Sequence, residues 1–176
     1  ISSSETLLTG RLNSITKNSQ GELFAAGYIN TGDGDKTLLL KWSLDGELDR
    51  EFDGAQYQGR LQGLVHINDF GLIAFGEEDT KDGTQTLLLR SVDGNSWENL
   101  PLTSRGERVN GIVYSLIRLR NGTLFAFGAE AGLGGAPLLL RSTDASDWEE
   151  IAAEFRQQHT LGELSTAIEA PDGGIY

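Results

Sequence analysis

Four ionisable residues recur at one place in a repeated segment. Lys17, His66, Arg118 and Glu169 follow one another at steps of 49, 52 and 51 residues, within the strings NSITKN, QGLVHI, YSLIRL and STAIEA. Three groups that can carry positive charge, held at one level, suit a small anion or an acidic sugar through charge-assisted hydrogen bonds. The competing expectation is a solvated rim in which Glu169 forms salt bridges with its basic neighbours. Ile15, Leu64 and Leu116 stand two residues earlier. On a strand, residues i and i+2 share a face, so the column is not a simple in–out alternation.

Other chemistry is sparse. Residues 30–35 (NTGDGD) and 77–82 (EEDTKD) are oxygen-rich loops of a kind that can hold Ca²⁺. Neither has the spacing of an EF-hand loop, and the third equivalent loop, 129–135, has one carboxylate, so solvated hairpins are expected. His66 and His159 are far apart in sequence and there is no cysteine, so no metal site and no cofactor is expected. Asn121-Gly122-Thr123 matches a glycosylation sequon. Its Asn-Gly pair is also a two-residue hairpin signal where the repeat requires one.

The elements that position these residues follow from one string. TLLLRSVDGNSW (86–97) returns as PLLLRSTDASDW (137–148) and, degraded, as TLLLKWSLDGELD (37–49). The leucine runs lie 49 and 51 residues apart (Leu38, Leu87, Leu138). A period of this size marks a repeat architecture. The segments read as an extended N-terminal segment (1–10), units at 11–54, 58–102 and 109–155, and a partial fourth unit at 161–176. The N-terminal segment is expected to pair with the edge of another sheet. Each full unit reads as four short strands. In the first they are 12–17, 23–28, 37–42 and 48–52. In the second they are 63–67, 72–75, 86–90 and 97–100. In the third they are 112–119, 124–127, 138–141 and 148–151. Gly27, Gly76 and Gly128 fall at one place in each unit, where small residues allow neighbouring sheets to approach or mark a bulge. Residues 149–158 have helical composition, with Ile151 and Phe155 four apart, and a helical turn is expected between residues 152 and 158.

Four strands per unit of about fifty residues, joined by hairpins, predict an all-β fold. The expected form is a β-propeller of four-stranded antiparallel blades, about three and a half of them in this chain. A second copy, or blades outside this segment, would close the ring. The formal net charge of −12 argues against a nucleic-acid or anionic-membrane partner. No apolar run approaches the roughly 18 residues of a membrane span, so no membrane insertion is expected.

Ser91-Val92-Asp93-Gly94-Asn95-Ser96-Trp97 and Ser142-Thr143-Asp144-Ala145-Ser146-Asp147-Trp148 resemble the Asp-box, or BNR repeat, of sialidase-like β-propellers. The fuller family pattern has one more residue before the Trp, Ala145 replaces Gly, and in the degraded copy Asp49 stands at the Trp position. The resemblance implies a structural role for Ser91, Asp93, Trp97, Ser142, Asp144 and Trp148. It places their turns between third and fourth strands, on the outside and away from the active centre. The family's arginine triad would be marked by Arg-Ile-Pro, which is absent. Arg90 and Arg141 are equivalent strand ends and read as structural. Tyr28, Tyr57, Tyr114 and Tyr176 have no recognisable Glu partner in sequence, so no catalytic residue is assigned. The expectation is a non-enzymatic binding or scaffold module, secreted or at a cell or particle surface, contacting protein or glycan. The alternatives are the propeller part of a sialidase-like glycosidase whose catalytic residues lie outside this segment, and a designed or repeat-derived fragment that self-assembles into a closed propeller.

Overall fold

A computed structural model describes residues 9–49, 57–104, 106–132, 135–151 and 162–176. Among the described residues every regular element is a β-strand. The first sheet contains β1 (Thr9–Lys17), β2 (Leu23–Thr31) and β3 (Gly34–Trp42). The second contains β4 (Gly59–Ile67), β5 (Gly71–Thr80), β6 (Gly83–Ser91) and β7 (Glu98–Asn99). A two-stranded ladder of β8 (Thr103–Ser104) and β9 (Glu107–Arg108) follows. The third sheet contains β10 (Gly111–Arg118), β11 (Leu124–Glu130), β12 (Pro137–Ser142) and β13 (Glu149–Glu150). All pairings are antiparallel, between strands adjacent in sequence.

The middle sheet explains why its third strand is continuously apolar. Leu72, Ala74, Leu87 and Leu89, with Leu61 and Leu64, share one cluster with Phe24, Ala26 and Leu39 of the first sheet. The intervening Ile73, Phe75 and Leu88 share another with Val113, Leu116, Leu124, Ala126, Leu138 and Leu140 of the third. Alternate residues therefore serve two cores, and a fully buried leucine contributes roughly 1.5–3 kcal/mol. Each new sheet is also tied to its predecessor by its lead-in. Thr37 donates its N–H to the Tyr57 carbonyl at 2.9 Å, and the equivalent Thr86 to that of Val109 at 3.1 Å.

The hairpins expected at residues 30–35 and 77–82 are present, and their strands run further than the sequence indicates. β2 runs to Thr31 and β3 resumes at Gly34, and β5 and β6 meet likewise at Thr80 and Gly83. The Thr31 and Thr80 hydroxyls donate to the Gly34 and Gly83 carbonyls at 2.7 and 2.8 Å, closing two tight hairpins. In the first unit the predicted fourth strand is represented by one bridge, Trp42 to Leu48, and residues 50–56 lie outside the described residues. So do residues 1–8 of the N-terminal segment and the predicted helical turn at 152–158. In the partial fourth unit Glu169 pairs with Ile175.

Each first strand carries a bulge at one place, between Leu12 and Ser14, Leu61 and Gly63, and Val113 and Ser115. Asn13, Gln62 and Tyr114 are the extra residues. The bulge resets the alternation, so Leu61 and Leu64, three apart, enter one core. It also explains the repeated glycines. Gly27, Gly76 and Gly128 pair with Leu12, Leu61 and Val113. A Cβ at Gly76 would land on the Arg60 carbonyl oxygen, and the other two would meet those of Arg11 and Ile112. The close approach is between strands of one sheet at a bulge, rather than between neighbouring sheets.

Candidate functional site

Three antiparallel hairpins in series give each sheet two unlike ends. The first strand finishes, and the third hands over to the fourth, at the same end. The first strand begins, and the hairpin from second to third strand lies, at the other.

The Ser–Asp–Trp turns occupy the first of these ends. Ser91 Oγ donates to Asp93 Oδ1 at 3.2 Å and accepts the Gly94 N–H at 2.9 Å. Asp93 Oδ1 accepts the N–H groups of Asn95 and Ser96, each at 2.8 Å. The second turn repeats this: Ser142 Oγ donates to Asp144 Oδ1 at 3.1 Å and accepts from Ala145 at 3.0 Å. Asp144 Oδ1 accepts from Ser146 and Asp147 at 2.9 and 3.0 Å. Gly94 and Ala145 share a left-handed backbone, φ 74° and 65°. Backbone N–H donors hold both carboxyls below the usual range, Asp144 at about 2. Trp148 is buried and its Nε1 donates to the Ala145 carbonyl at 3.2 Å, while Trp97 is half-buried. The sequence 37–49 turns differently: Ser43 and Glu47 bracket a hairpin in which Gly46 N–H donates to the Ser43 carbonyl at 3.0 Å.

The column of Lys17, His66, Arg118 and Glu169 sits at this same end. Lys17, His66, Arg118 and Glu169 pair with Leu23, Leu72, Leu124 and Ile175, so the four are equivalent in register as well as in sequence. They are not mutually paired. Arg118 forms an ion pair with Asp69 and lies 6.0 Å from the Phe70 ring centre, while Glu169 accepts the Arg120 backbone N–H at 2.9 Å. Arg90, below the turn, donates to the Phe70 carbonyl at 3.0 Å, a structural contact.

The opposite end gathers a cluster that the sequence reading did not single out. Arg60 Nε donates to Asp35 Oδ2 at 2.5 Å across two sheets, and its guanidinium lies 5.4 Å from the Tyr28 ring centre. A second arm reaches Glu77 at 3.6 Å. Glu77 is 3% exposed and accepts from Gln62, the bulge residue, at 3.1 Å. Burial pushes the Glu77 carboxyl up, against the opposing pull of Gln62 and Arg60. Asp35 is held below its usual range by Arg60 and then Asn30. Arg108 pairs with Glu78 at 2.9 Å nearby. At Tyr114, the next bulge residue, burial and then the negative charge of nearby Glu163 push the hydroxyl up, so a Glu does lie near one tyrosine. The available signal was the bulge column Asn13, Gln62, Tyr114, which becomes visible only once the bulge is known. Among the described residues no group of three or more His, Asp and Glu side chains could hold a metal ion. No helix among them is long and apolar enough to cross a membrane.

The chain matches no protein-family model and no curated protein. Among solved structures it is similar to an N-acetylgalactosamine deacetylase from F. plautii, in complex with blood group B trisaccharide. The identity is 14% and the TM-score 0.48, over 78% of this chain and 50% of that one. The chain thus spans about half the length of that protein. A likeness this distant assigns no activity.

Proposed function

We propose that the three sheets are successive blades of an Asp-box β-propeller, and that the chain is a binding or scaffold module without catalysis of its own. Its partner on this reading is a protein or glycan at a cell or particle surface, in a secreted or surface location suggested by the Asp-box resemblance alone. The repeated Ser–Asp turns and the serial packing of unlike sheet faces support the blade reading. The observation that carries the function is the Tyr28–Arg60–Glu77 cluster at the end away from those turns. Arg60 stacks on an aromatic ring and remains half exposed. Convergent donors and acceptors beside an aromatic face suit a polyhydroxylated or peptide ligand. Glycan-array binding followed by substitution tests this: Arg60→Ala abolishes the signal and Arg118→Ala retains it. The reverse outcome transfers the ligand to the Lys17–His66–Arg118–Glu169 column.

The nearness of Glu163 to Tyr114 supports a second reading, part of a sialidase-like glycosidase. It ranks second because a raised hydroxyl pKa disfavours the nucleophilic phenolate. Turnover of a fluorogenic sialoside, lost in Tyr114→Phe, would promote it.

A further inference from the structure

We propose that Asn121 is a self-modifying site, converting to isoaspartate in a turn whose own groups assist the reaction, while the sheet holds the same dipeptide at Asn110 unreactive. The sequence contains two Asn-Gly pairs, Asn110-Gly111 and Asn121-Gly122. Both asparagines are exposed. In each pair the glycine leaves the attacking backbone nitrogen without a neighbouring side chain, so local sequence gives the two an equal start. The structure separates them.

Asn121 lies in the turn between β10 and β11. Leu119 N–H donates to the Thr123 carbonyl at 2.8 Å, and Gly122 N–H to the Leu119 carbonyl at 2.9 Å. Asn121 Oδ1 accepts the Thr123 N–H at 3.0 Å. That bond closes a ring of atoms that includes the Gly122 nitrogen, so the carboxamide is already folded over its attacker. The same N–H stands where negative charge collects on Oδ1 as the tetrahedral intermediate forms. Arg118, although paired with Asp69, has its Nη2 3.7 Å from where a Cβ on Gly122 would stand. A cation this close favours the deprotonated Gly122 nitrogen. The bond to the Leu119 carbonyl must open first, and at an exposed hairpin tip such opening costs little.

Asn110 is held otherwise. It bridges to Gln85, and its carbonyl accepts the Ala131 N–H at 3.2 Å. Gly111 opens β10 opposite Glu130, so close that a Cβ on it would fall 2.3 Å from the Ala129 carbonyl oxygen. Closing the ring rotates the Asn–Gly peptide, which here turns the Asn110 carbonyl away from Ala131 and pulls Gly111 from its strand.

In the reaction the Gly122 nitrogen gives up its proton and bonds to Asn121 Cγ. The Cγ–Nδ2 bond breaks, and the side-chain nitrogen takes up one proton and leaves as ammonia. Water then opens the five-membered imide. Attack at the main-chain carbonyl gives isoaspartate, and attack at Cγ gives aspartate. Either product places a new carboxylate beside Arg118, where it competes with Asp69. Isoaspartate also adds a backbone carbon between Leu119 and Thr123, which upsets their pairing.

Ageing the full chain at neutral pH, folded and in urea, tests this. Peptide mapping by mass spectrometry, with enzymatic methylation of isoaspartyl groups, reads each asparagine. In the folded chain isoaspartate should form at Asn121 at least about tenfold faster than at Asn110, whose strand bonds must open first. In urea the two rates should converge. Arg118→Gln should slow Asn121 at least about threefold in the folded chain by removing the nearby cation, and leave Asn110 unchanged. Equal rates at the two asparagines in the folded chain would show that the dipeptide alone sets them, and would overturn the proposal. So would an Asn121 that stays intact when folded and reacts only in urea, or an Arg118→Gln variant that ages at Asn121 like the parent.

Discussion

Gly94 lies against the ring of Phe24: a Cβ on Gly94 would collide with the Phe24 ring. The turn of the second sheet thus packs on the core of the first, and Lys41 Nζ reinforces the contact by donating to Asn95 Oδ1 at 2.8 Å. One unit later the volumes are exchanged. Ala145 occupies the turn position, and Ile73 stands where Phe24 stood, in one cluster with it.

This exchange predicts a coupled pair. Gly94→Ala should destabilise the chain by about 2–3 kcal/mol through overpacking. Phe24→Ile alone should cost about 1–2 kcal/mol through lost packing. The double variant should be more stable than the sum of the two, by at least about 1 kcal/mol in a denaturant double-mutant cycle. Additive costs would place the two residues out of contact.

The Asp-bonded turns predict acid sensitivity. Asp144 is depressed to about 2 from 3.8. A depressed folded pKa contributes stability that is complete above the unfolded pKa and is lost as pH falls through the folded one. Asp144→Asn should flatten the melting curve between about pH 4 and 2. Asp144→Ala should cost about 1 kcal/mol at neutral pH, because the carboxyl is exposed and the bonds are solvent-screened. Melting temperature against pH is the measurement.

Glu77 has the opposite sign. Burial raises its folded pKa above 4.5, so ionisation opposes folding and stability falls as pH rises from that value. Glu77→Gln should remove this slope and leave the chain at least as stable at neutral pH, since Arg60 keeps Asp35. A variant that loses stability above pH 5 would show that the Arg60 pair outweighs the burial of the carboxylate.

The strands were legible wherever apolar runs met turn residues, because alternate positions such as Ile73 and Ala74 each found a core. The hairpins at Thr31–Gly34 and Thr80–Gly83 were expected, but the length of their strands was hidden, because the flanks, Asn30 with Asp35 and Asp79 with Thr84, are polar pairs without apolar alternation. The column of Lys17, His66, Arg118 and Glu169 was legible by period, yet the period is silent about which end of a sheet it occupies. That follows from counting hairpins, and it puts the column beside the Ser–Asp–Trp turns. The Arg60–Glu77–Gln62 cluster was hidden by the bulge, since Gln62 reaches Glu77 only because an extra residue redirects it.

The central claim is that the three sheets radiate from a shared axis, with β1, β4 and β10 innermost. The chain has no cysteine, so paired spin labels can be placed cleanly. Two distances between the second and third sheets decide it: His66→Cys with Arg118→Cys at the first strands, and Val92→Cys with Thr143→Cys at the outer turns. Radial blades require the first distance to be clearly the shorter. Equal distances would mean layers stacked in parallel, and would contradict the account.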